Sequence, residues 1–101
     1  MRAVLFFDLP VETSSQQREY RKFIKNMKLQ GFYMMQKSVY IKMALDMQSL
    51  NSAIAKVKKC LPKDGFVFVL KVTENQFTDI DYLLGESISD VVNTFERVVE
   101  L

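Results

Sequence analysis

The chain has 101 residues, of which 49% are hydrophobic and 26% are charged, and its formal net charge is +2. This length favours one domain, and the hydrophobic content excludes an intrinsically disordered chain. The chain has no histidine and one cysteine, Cys60, which excludes Ser-His and Cys-His nucleophile pairs and an internal disulfide framework. We expect a cytoplasmic protein, because we find neither a signal peptide nor an apolar run long enough to span a membrane.

Charge is distributed unevenly along the chain. Residues 1–73 carry 13 Lys and Arg against 5 Asp and Glu, a net charge of +8. Residues 74–101 carry one Arg against 7 Asp and Glu, a net charge of −6. A basic body favours an anionic partner, and an acidic tail favours a basic protein surface. The alternative is that these charges only keep a small domain in solution.

The first predicted element is a buried strand that ends in a carboxylate. Residues 2–10 read RAVLFFDLP, in which five apolar residues precede Asp8 and Pro10 ends the strand. A buried lone charge is costly, so we expect Asp8 either to reach solvent or to have a partner. In the simplest alternative, Asp8 is a turn residue that hydrogen-bonds the backbone of Val11 or Glu12.

A basic amphipathic helix follows the strand. Thr13 and Gln16 have the spacing of a capping box, so the helix is predicted to begin near Ser14, with Gly31 as its stop. Its apolar face comprises Tyr20, Phe23, Ile24 and Met27. Its opposite face carries Arg18, Arg21, Lys22, Lys25 and Lys28.

The remaining elements complete a β-α-β-β-α-β order. We expect strands over Phe32–Gln36, Ser38–Leu45 and Phe66–Thr73. Asp46 is predicted to cap a second helix, which has an apolar stripe. Cys60 is predicted to be a partly buried apolar residue beside that stripe. That stripe comprises Met47, Leu50, Ile54, Val57 and Leu61. The order predicts an α+β ferredoxin-like fold, with two helices on one face of a four-stranded antiparallel sheet.

The predicted sheet has more apolar surface than two helices can cover. Val4, Phe6 and Asp8 share one face of the first strand, and the last strand is apolar on both faces. An uncovered apolar face is a contact surface, and we expect a second copy of the chain to cover it. Residues 96–101 (ERVVEL) are predicted to form a short strand that pairs with the partner's sheet. We therefore predict a homodimer of one-domain chains, each with a core to residue 78 and an acidic tail over residues 79–101.

Such a dimer would give Asp8 a partner. Two facing Asp8 carboxylates cannot both ionise cheaply unless a cation lies between them. Mg²⁺ binds through oxygen ligands and keeps several waters, and it can activate water and polarise a phosphodiester. The basic helix face would then hold a nucleic-acid backbone.

Short motifs along nearly the whole chain resemble one family. They are VLFFDLP, REYRKF, GF followed by QKSVY, VTENQF and ERVVEL, in that order. The chain resembles the small CRISPR-associated protein of the spacer-acquisition pair, the partner of the larger CRISPR integrase. This resemblance implies a symmetric ferredoxin-like dimer that takes part, with the integrase, in the integration of spacer DNA. It also implies metal-dependent endonuclease activity on single-stranded RNA or duplex DNA.

The resemblance also implies site residues. Asp8 matches the family's catalytic, Mg²⁺-binding aspartate at the dimer interface, and Phe7 stands where many members with nuclease activity carry Tyr. By position, Arg18 and Arg21 match basic residues of the family's first helix, and Ser38 matches its Ser before the third-strand aromatic. With Lys22 and Lys25 of the basic helix face, they are the predicted nucleic-acid-binding residues. The alternatives are a solvated helix face for the four cations and a bend hydroxyl bonded to backbone for Ser38.

Three functions stay open at this point. The first is a Mg²⁺-dependent phosphodiesterase that uses Asp8 from each chain, and the second is a non-catalytic dimeric scaffold for duplex DNA. The third, a ligand-binding regulator, is disfavoured because the chain lacks a glycine-rich loop. The first two are compatible with each other.

Overall fold

The structure, a computed structural model, describes residues 1–85. Its elements are β1 (Arg2–Asp8), α1 (Ser14–Leu29), β2 (Tyr33–Gln36), β3 (Val39–Met43), α2 (Met47–Lys58), β4 (Phe66–Val72) and α3 (Glu74–Thr78). The four strands form one antiparallel sheet in the order β2-β3-β1-β4. This order confirms the predicted ferredoxin-like fold and makes β1 a central strand.

Local signals in the sequence position the two long helices. The Thr13 hydroxyl accepts the Gln16 N–H at 3.1 Å and the Gln16 side-chain oxygen accepts the Thr13 N–H at 3.1 Å, so the capping box is confirmed. Gly31 has φ +90° directly after the α1 C-cap. The Asp46 carboxylate accepts the Ser49 N–H at 2.8 Å, and this hydrogen bond lowers the pKa of Asp46.

The main core lies between the sheet and the two long helices. Ala3, Leu5 and Phe7 of β1 are buried there. The residues that pack against them from the helices are Phe23, Met27, Leu50, Ala53 and Val57. Fully burying one large apolar side chain contributes roughly 1.5–3 kcal/mol, so this layer is the main source of stability.

The short helix α3 was not predicted, and it packs on the other face of the sheet. Thr73 and Gln76 form a second capping box at its start. The ring of Phe77 is buried in a cluster with Val4, Val39 and Ile41. The two long helices therefore cover one face, as expected, while α3 covers part of the second.

Arg2 fixes α3 to β1. Its Nε donates to both carboxylate oxygens of Glu74, at 3.0 and 3.1 Å, and its guanidinium carbon lies 4.1 Å from the Phe77 ring centroid. The N-terminal amine adds a further contact with Glu74 at 3.6 Å. These contacts explain why α3 is held on the sheet although it has only five residues.

The β4 side of the second face remains exposed. Phe66, Phe68 and Leu70 are 67%, 62% and 54% exposed, and they pair in register with β1 residues of the same face. We call these three side chains the open face. An apolar sheet face without cover was predicted, and the structure shows one in this region. The predicted strand over residues 96–101 lies outside the described residues.

Two predictions about residues near the ends of elements were wrong. Cys60 is exposed, because α2 ends at Lys58 and Cys60 lies in the turn that follows. Leu45 is fully exposed because β3 ends at Met43. Met47 and Leu61, at the two ends of the predicted stripe of α2, are also partly exposed.

Within residues 1–85, we find no helix with the length and apolarity that a bilayer crossing requires.

The turn before β4 depends on the glycine at position 65. Gly65 has φ +106°, and a Cβ there would lie 2.5 Å from the Asp8 carbonyl oxygen and 2.8 Å from Leu9 Cδ2. Gly85 also has a positive φ, +90°, but a Cβ there would meet no atom of residues 1–85 within 4 Å. A residue with a side chain would therefore be strained at either position, but only at position 65 would its Cβ collide with neighbouring atoms.

We predict that Gly65→Ala destabilises the fold more than Gly85→Ala. Each substitution introduces backbone strain of about 1–3 kcal/mol, and only Gly65→Ala adds a collision with the backbone of β1. Urea denaturation of both variants gives the comparison. Equal losses in the free energy of unfolding would contradict the close packing of this turn against Asp8.

Candidate functional site

Asp8 lies at the carboxyl end of the central strand, at the edge of the open face. It is exposed and pairs in register with Phe66 of β4. Within residues 1–85 its carboxylate makes no hydrogen bond or ion pair. Asp8 therefore reaches solvent, which was one of the two expected solutions for this charge.

The simplest alternative for Asp8, a turn residue bonded to the next backbone amides, is not found. The Glu12 N–H donates to the Gln16 side-chain oxygen at 3.0 Å, so the capping box already uses it. No hydrogen bond joins the Asp8 carboxylate to Val11 among the described residues. The carboxylate is left available for a ligand.

The backbone around Asp8 is held on both sides. Gly65 packs directly against the Asp8 carbonyl group on the β4 side. On the β3 side the Phe7 N–H donates to the Ser38 carbonyl oxygen at 3.1 Å. Gly65 was not among the predicted site residues, although the Asp64–Gly65 pair is a sequence signal for a tight turn.

Ser38 lies in the turn between β2 and β3, next to this end of β1. Its φ is +67°, which is unusual for a residue with a side chain and costs about 1–3 kcal/mol. Its hydroxyl makes no hydrogen bond among the described residues, so the predicted alternative of a bend hydroxyl bonded to backbone is not found. The structure thus brings Ser38 close to the residue that precedes Asp8.

The ring of Phe7 points away from Asp8, into the main core. It contacts Tyr20, Phe23 and Tyr40, with centroid distances of 6.1, 5.7 and 5.7 Å. Burial, with a smaller effect from Tyr20, raises the pKa of the Tyr40 phenol. A Tyr at position 7 would place its ring in the same buried face. Phe in place of Tyr therefore removes no hydroxyl from the side of the sheet where Asp8 lies.

One chain alone offers little for a metal ion. Among residues 1–85 no three His, Cys, Asp or Glu side chains are grouped so that they could hold one. A single carboxylate does suit Mg²⁺, which binds through one or two carboxylates and keeps several waters. Asp8 fits that chemistry as an exposed oxygen donor without a bond, and a second copy of it would complete a pair.

The cations of α1 form an exposed row, which we call the basic row. Their spacing of three or four residues places them on one side of the helix. The row comprises Arg18, Arg21, Lys22, Lys25 and Lys28, all exposed. Because the Tyr20 ring contacts Phe7, the first half of this row lies at the same end of the sheet as Asp8.

Within residues 1–85, no member of the basic row forms an ion pair with a carboxylate. The ion pairs within residues 1–85 join Glu74 to Arg2 and to the N-terminal amine. The row therefore presents its full charge to solvent, as an anion-binding surface does. The structure does not bring the row and the Asp8 carboxylate together, because α1 packs on the face with Phe7, whereas Asp8 shares the other face with Val4 and Phe6.

Comparison with known proteins shows one consistent family. The model of the family described as CRISPR associated protein Cas2 matches residues 1–80. A protein named CRISPR-associated endoribonuclease Cas2 from Ligilactobacillus salivarius is 43% identical over 101 residues, and the match covers all of both chains. A protein of the same name from Treponema denticola is 42% identical, with the same complete coverage.

A solved structure shows the same fold. The crystal structure of Streptococcus pyogenes Cas2 at pH 6.5 superposes with a TM-score of 0.63 and 16% sequence identity. The match covers 84% of this chain and all of that one.

Proposed function

This chain belongs to the Cas2 family of CRISPR-associated proteins, and on that premise we propose that it binds nucleic acid during spacer acquisition, as a dimer, together with the CRISPR integrase. The observation that carries the proposal is the unpaired basic row of α1. We also propose that Asp8 from each of two chains binds one Mg²⁺ and that this site cleaves phosphodiesters. The relatives are named endoribonucleases, and these names support the proposed cleavage of phosphodiesters.

The basic row is suited to a phosphate backbone. A helix rises about 1.5 Å per residue, so Arg18 and Lys25 are about 10 Å apart along the axis. This distance exceeds the spacing of neighbouring phosphates, so the row spans more than one phosphate of a strand. Contacts of this kind hold a strand in register and are independent of base sequence. This chemistry agrees with a scaffold that accepts spacers of any sequence.

We predict that the double substitution Arg18→Gln, Arg21→Gln weakens binding to duplex DNA and flattens its salt dependence. Each lost phosphate contact should reduce the slope of log K against log salt by about 0.9. Fluorescence anisotropy over a range of salt concentrations measures both quantities. The control is Lys63→Gln, an exposed lysine outside the row, which should leave the slope unchanged. An unchanged slope in the double variant would remove the row from the interface.

A second copy of the chain is the proposed cover for the open face. Large apolar side chains exposed side by side are unfavourable in water, and a self-complementary surface is the simplest way to bury them. Asp8 lies at the edge of this face, so a two-fold axis there would bring two Asp8 carboxylates together. The dimer and the metal site are then parts of one proposal.

We predict that Phe68→Lys shifts the protein from dimer to monomer at micromolar concentration. The substitution would place a charge in the centre of the buried interface, where it would lack a partner. Sedimentation velocity measures the change. Leu45→Lys is the matched control, since Leu45 is equally apolar and fully exposed but lies off the sheet. A parent chain that sediments as a monomer would contradict the dimer.

In the cleavage reaction each part of the chain has a separate task. The basic row would hold the backbone of the substrate, and the two Asp8 carboxylates would supply oxygen ligands. Mg²⁺ bound there would activate a water and polarise the phosphodiester. Ser38 is proposed to donate its free hydroxyl to a phosphate near the same strand end.

We predict that Asp8→Asn abolishes Mg²⁺-dependent cleavage of RNA or DNA without changing stability. The carboxylate makes no bond within the described part of the chain, so its loss should alter the free energy of unfolding by less than about 0.5 kcal/mol. Glu12→Gln removes an exposed carboxylate near the same strand end and should retain activity. Cleavage by Asp8→Asn at the parent rate would leave the non-catalytic scaffold as the function.

The acidic segment is proposed to bind the integrase. Residues 86–101 carry one Arg against four Asp and Glu, a net charge of −3, and a basic surface on the partner would complement them. We predict that a chain ending at residue 85 keeps its duplex affinity and loses co-purification with the integrase. Retained co-purification would show that the contact lies elsewhere.

A further inference from the structure

A cleft of about 530 Å³ lies between the second half of α1 and the turn after α2. One side of it is cationic, with Lys22, Lys25 and Lys59. The other side is apolar, with Leu29, Leu61 and Pro62. Its volume falls in the range of small-molecule sites, so it can hold a group about as large as one nucleotide.

The charges of this cleft are unbalanced. None of its three lysines lies within 4.0 Å of a carboxylate in the described part of the chain. Glu19 is the one carboxylate among the lining residues. Grouped lysines repel one another, and an anion between them would remove that repulsion.

Asn26 adds an unsatisfied donor to the same cleft. It is one of the lining residues, and its Nδ2 is buried without a hydrogen-bond partner. A buried donor without a partner is costly and uncommon in folded proteins. Because this nitrogen is covered, a ligand oxygen could bond it only after the Asn26 side chain rotates into the cleft.

The cleft is continuous with the basic row, because Lys22 and Lys25 belong to both. A small free anion would contact only one or two of these cations. A chain of phosphates along α1 would contact Arg18 and Arg21 first and then reach the cleft. The geometry therefore favours a nucleic-acid strand over an isolated phosphate.

The apolar side of the cleft distinguishes single strands from duplexes. Leu29 is 73% exposed and could pack against the face of a base. In a duplex the bases are paired and stacked, so their faces cannot reach such a surface, whereas the bases of a single strand can.

We propose that this cleft binds one unpaired nucleotide of a single strand, with its base on Leu29, Leu61 and Pro62 and its phosphates on the three lysines. The inference rests on the nucleic-acid binding proposed above, but it does not involve Asp8 or cleavage. It assigns to the protein a site for single-stranded ends, in addition to the duplex contacts of α1.

Cys60 provides the test, since it is exposed, lines the cleft and is the one cysteine of the chain. We expect a saturating single-stranded oligonucleotide to slow its alkylation by neutral N-ethylmaleimide at least several-fold. A blunt duplex of equal charge, and polyglutamate, should protect Cys60 much less. Equal protection by the duplex would overturn the preference for single strands, and equal protection by polyglutamate would indicate an acidic peptide instead.

Two pairs of variants separate charge from apolar contact. Lys59→Gln should reduce the salt slope of single-strand binding by about 0.7, whereas Lys63→Gln in the neighbouring turn should leave it unchanged. Leu29→Gln should weaken binding several-fold at an unchanged slope, whereas Leu45→Gln, another exposed leucine, should have no effect.

The outcomes also separate this inference from the proposed function. If single strands bind by anisotropy while Cys60 stays fully reactive and Lys59→Gln has no effect, the cleft is excluded and the basic row remains. If neither single strands nor duplexes bind, the nucleic-acid function itself is wrong.

Discussion

The two-sided burial of β1 is the constraint on which the rest of the structure depends. Both edges of this strand are hydrogen-bonded, to β3 and to β4, and both of its faces are apolar. Strands of this kind must be covered on both sides. Among the described residues, helices α1 and α2 cover most of one face, and the other face receives only α3, through Phe77. Because the second face is covered only in part, the side chains of Phe66, Phe68 and Leu70 on β4 are exposed.

The order of the elements could be predicted because it depends on local signals. Pro10, the Thr13–Gln16 capping box, Gly31 and the Asp46 cap all act within a few residues of their own position, and each is found where the sequence predicts it. Element ends were less predictable. Leu45 continues the alternating pattern of β3 but lies beyond its last pair, because pairing depends on how far the neighbouring strands extend.

Helix α3 could not be predicted from the sequence for a different reason. The Thr73–Gln76 capping box that begins α3 has the same spacing as the one that begins α1, but five residues are too few to show a helical period. What holds α3 in place is the contact of Glu74 with Arg2, 72 residues away in the chain. The place of Asp8 at a strand end could be predicted, whereas the use of the Glu12 amide by Gln16, which takes that donor from Asp8, could be seen only in the structure.

The single chain leaves three kinds of group incomplete. Among residues 1–85 the open face has no cover, the Asp8 carboxylate has no bond and the basic row has no carboxylate partner, whereas the carboxylate of Glu74 is used within the fold. Each of these sets has the chemistry of one proposed partner: an apolar surface for the open face, a cation for Asp8 and a polyanion for the basic row. These groups are divided by the sheet, because Asp8 lies at the edge of the open face, whereas the basic row lies on the solvent side of α1, which packs on the opposite face. A second chain on the open face, as proposed, would therefore leave the basic rows of both chains accessible on the outer sides of the dimer.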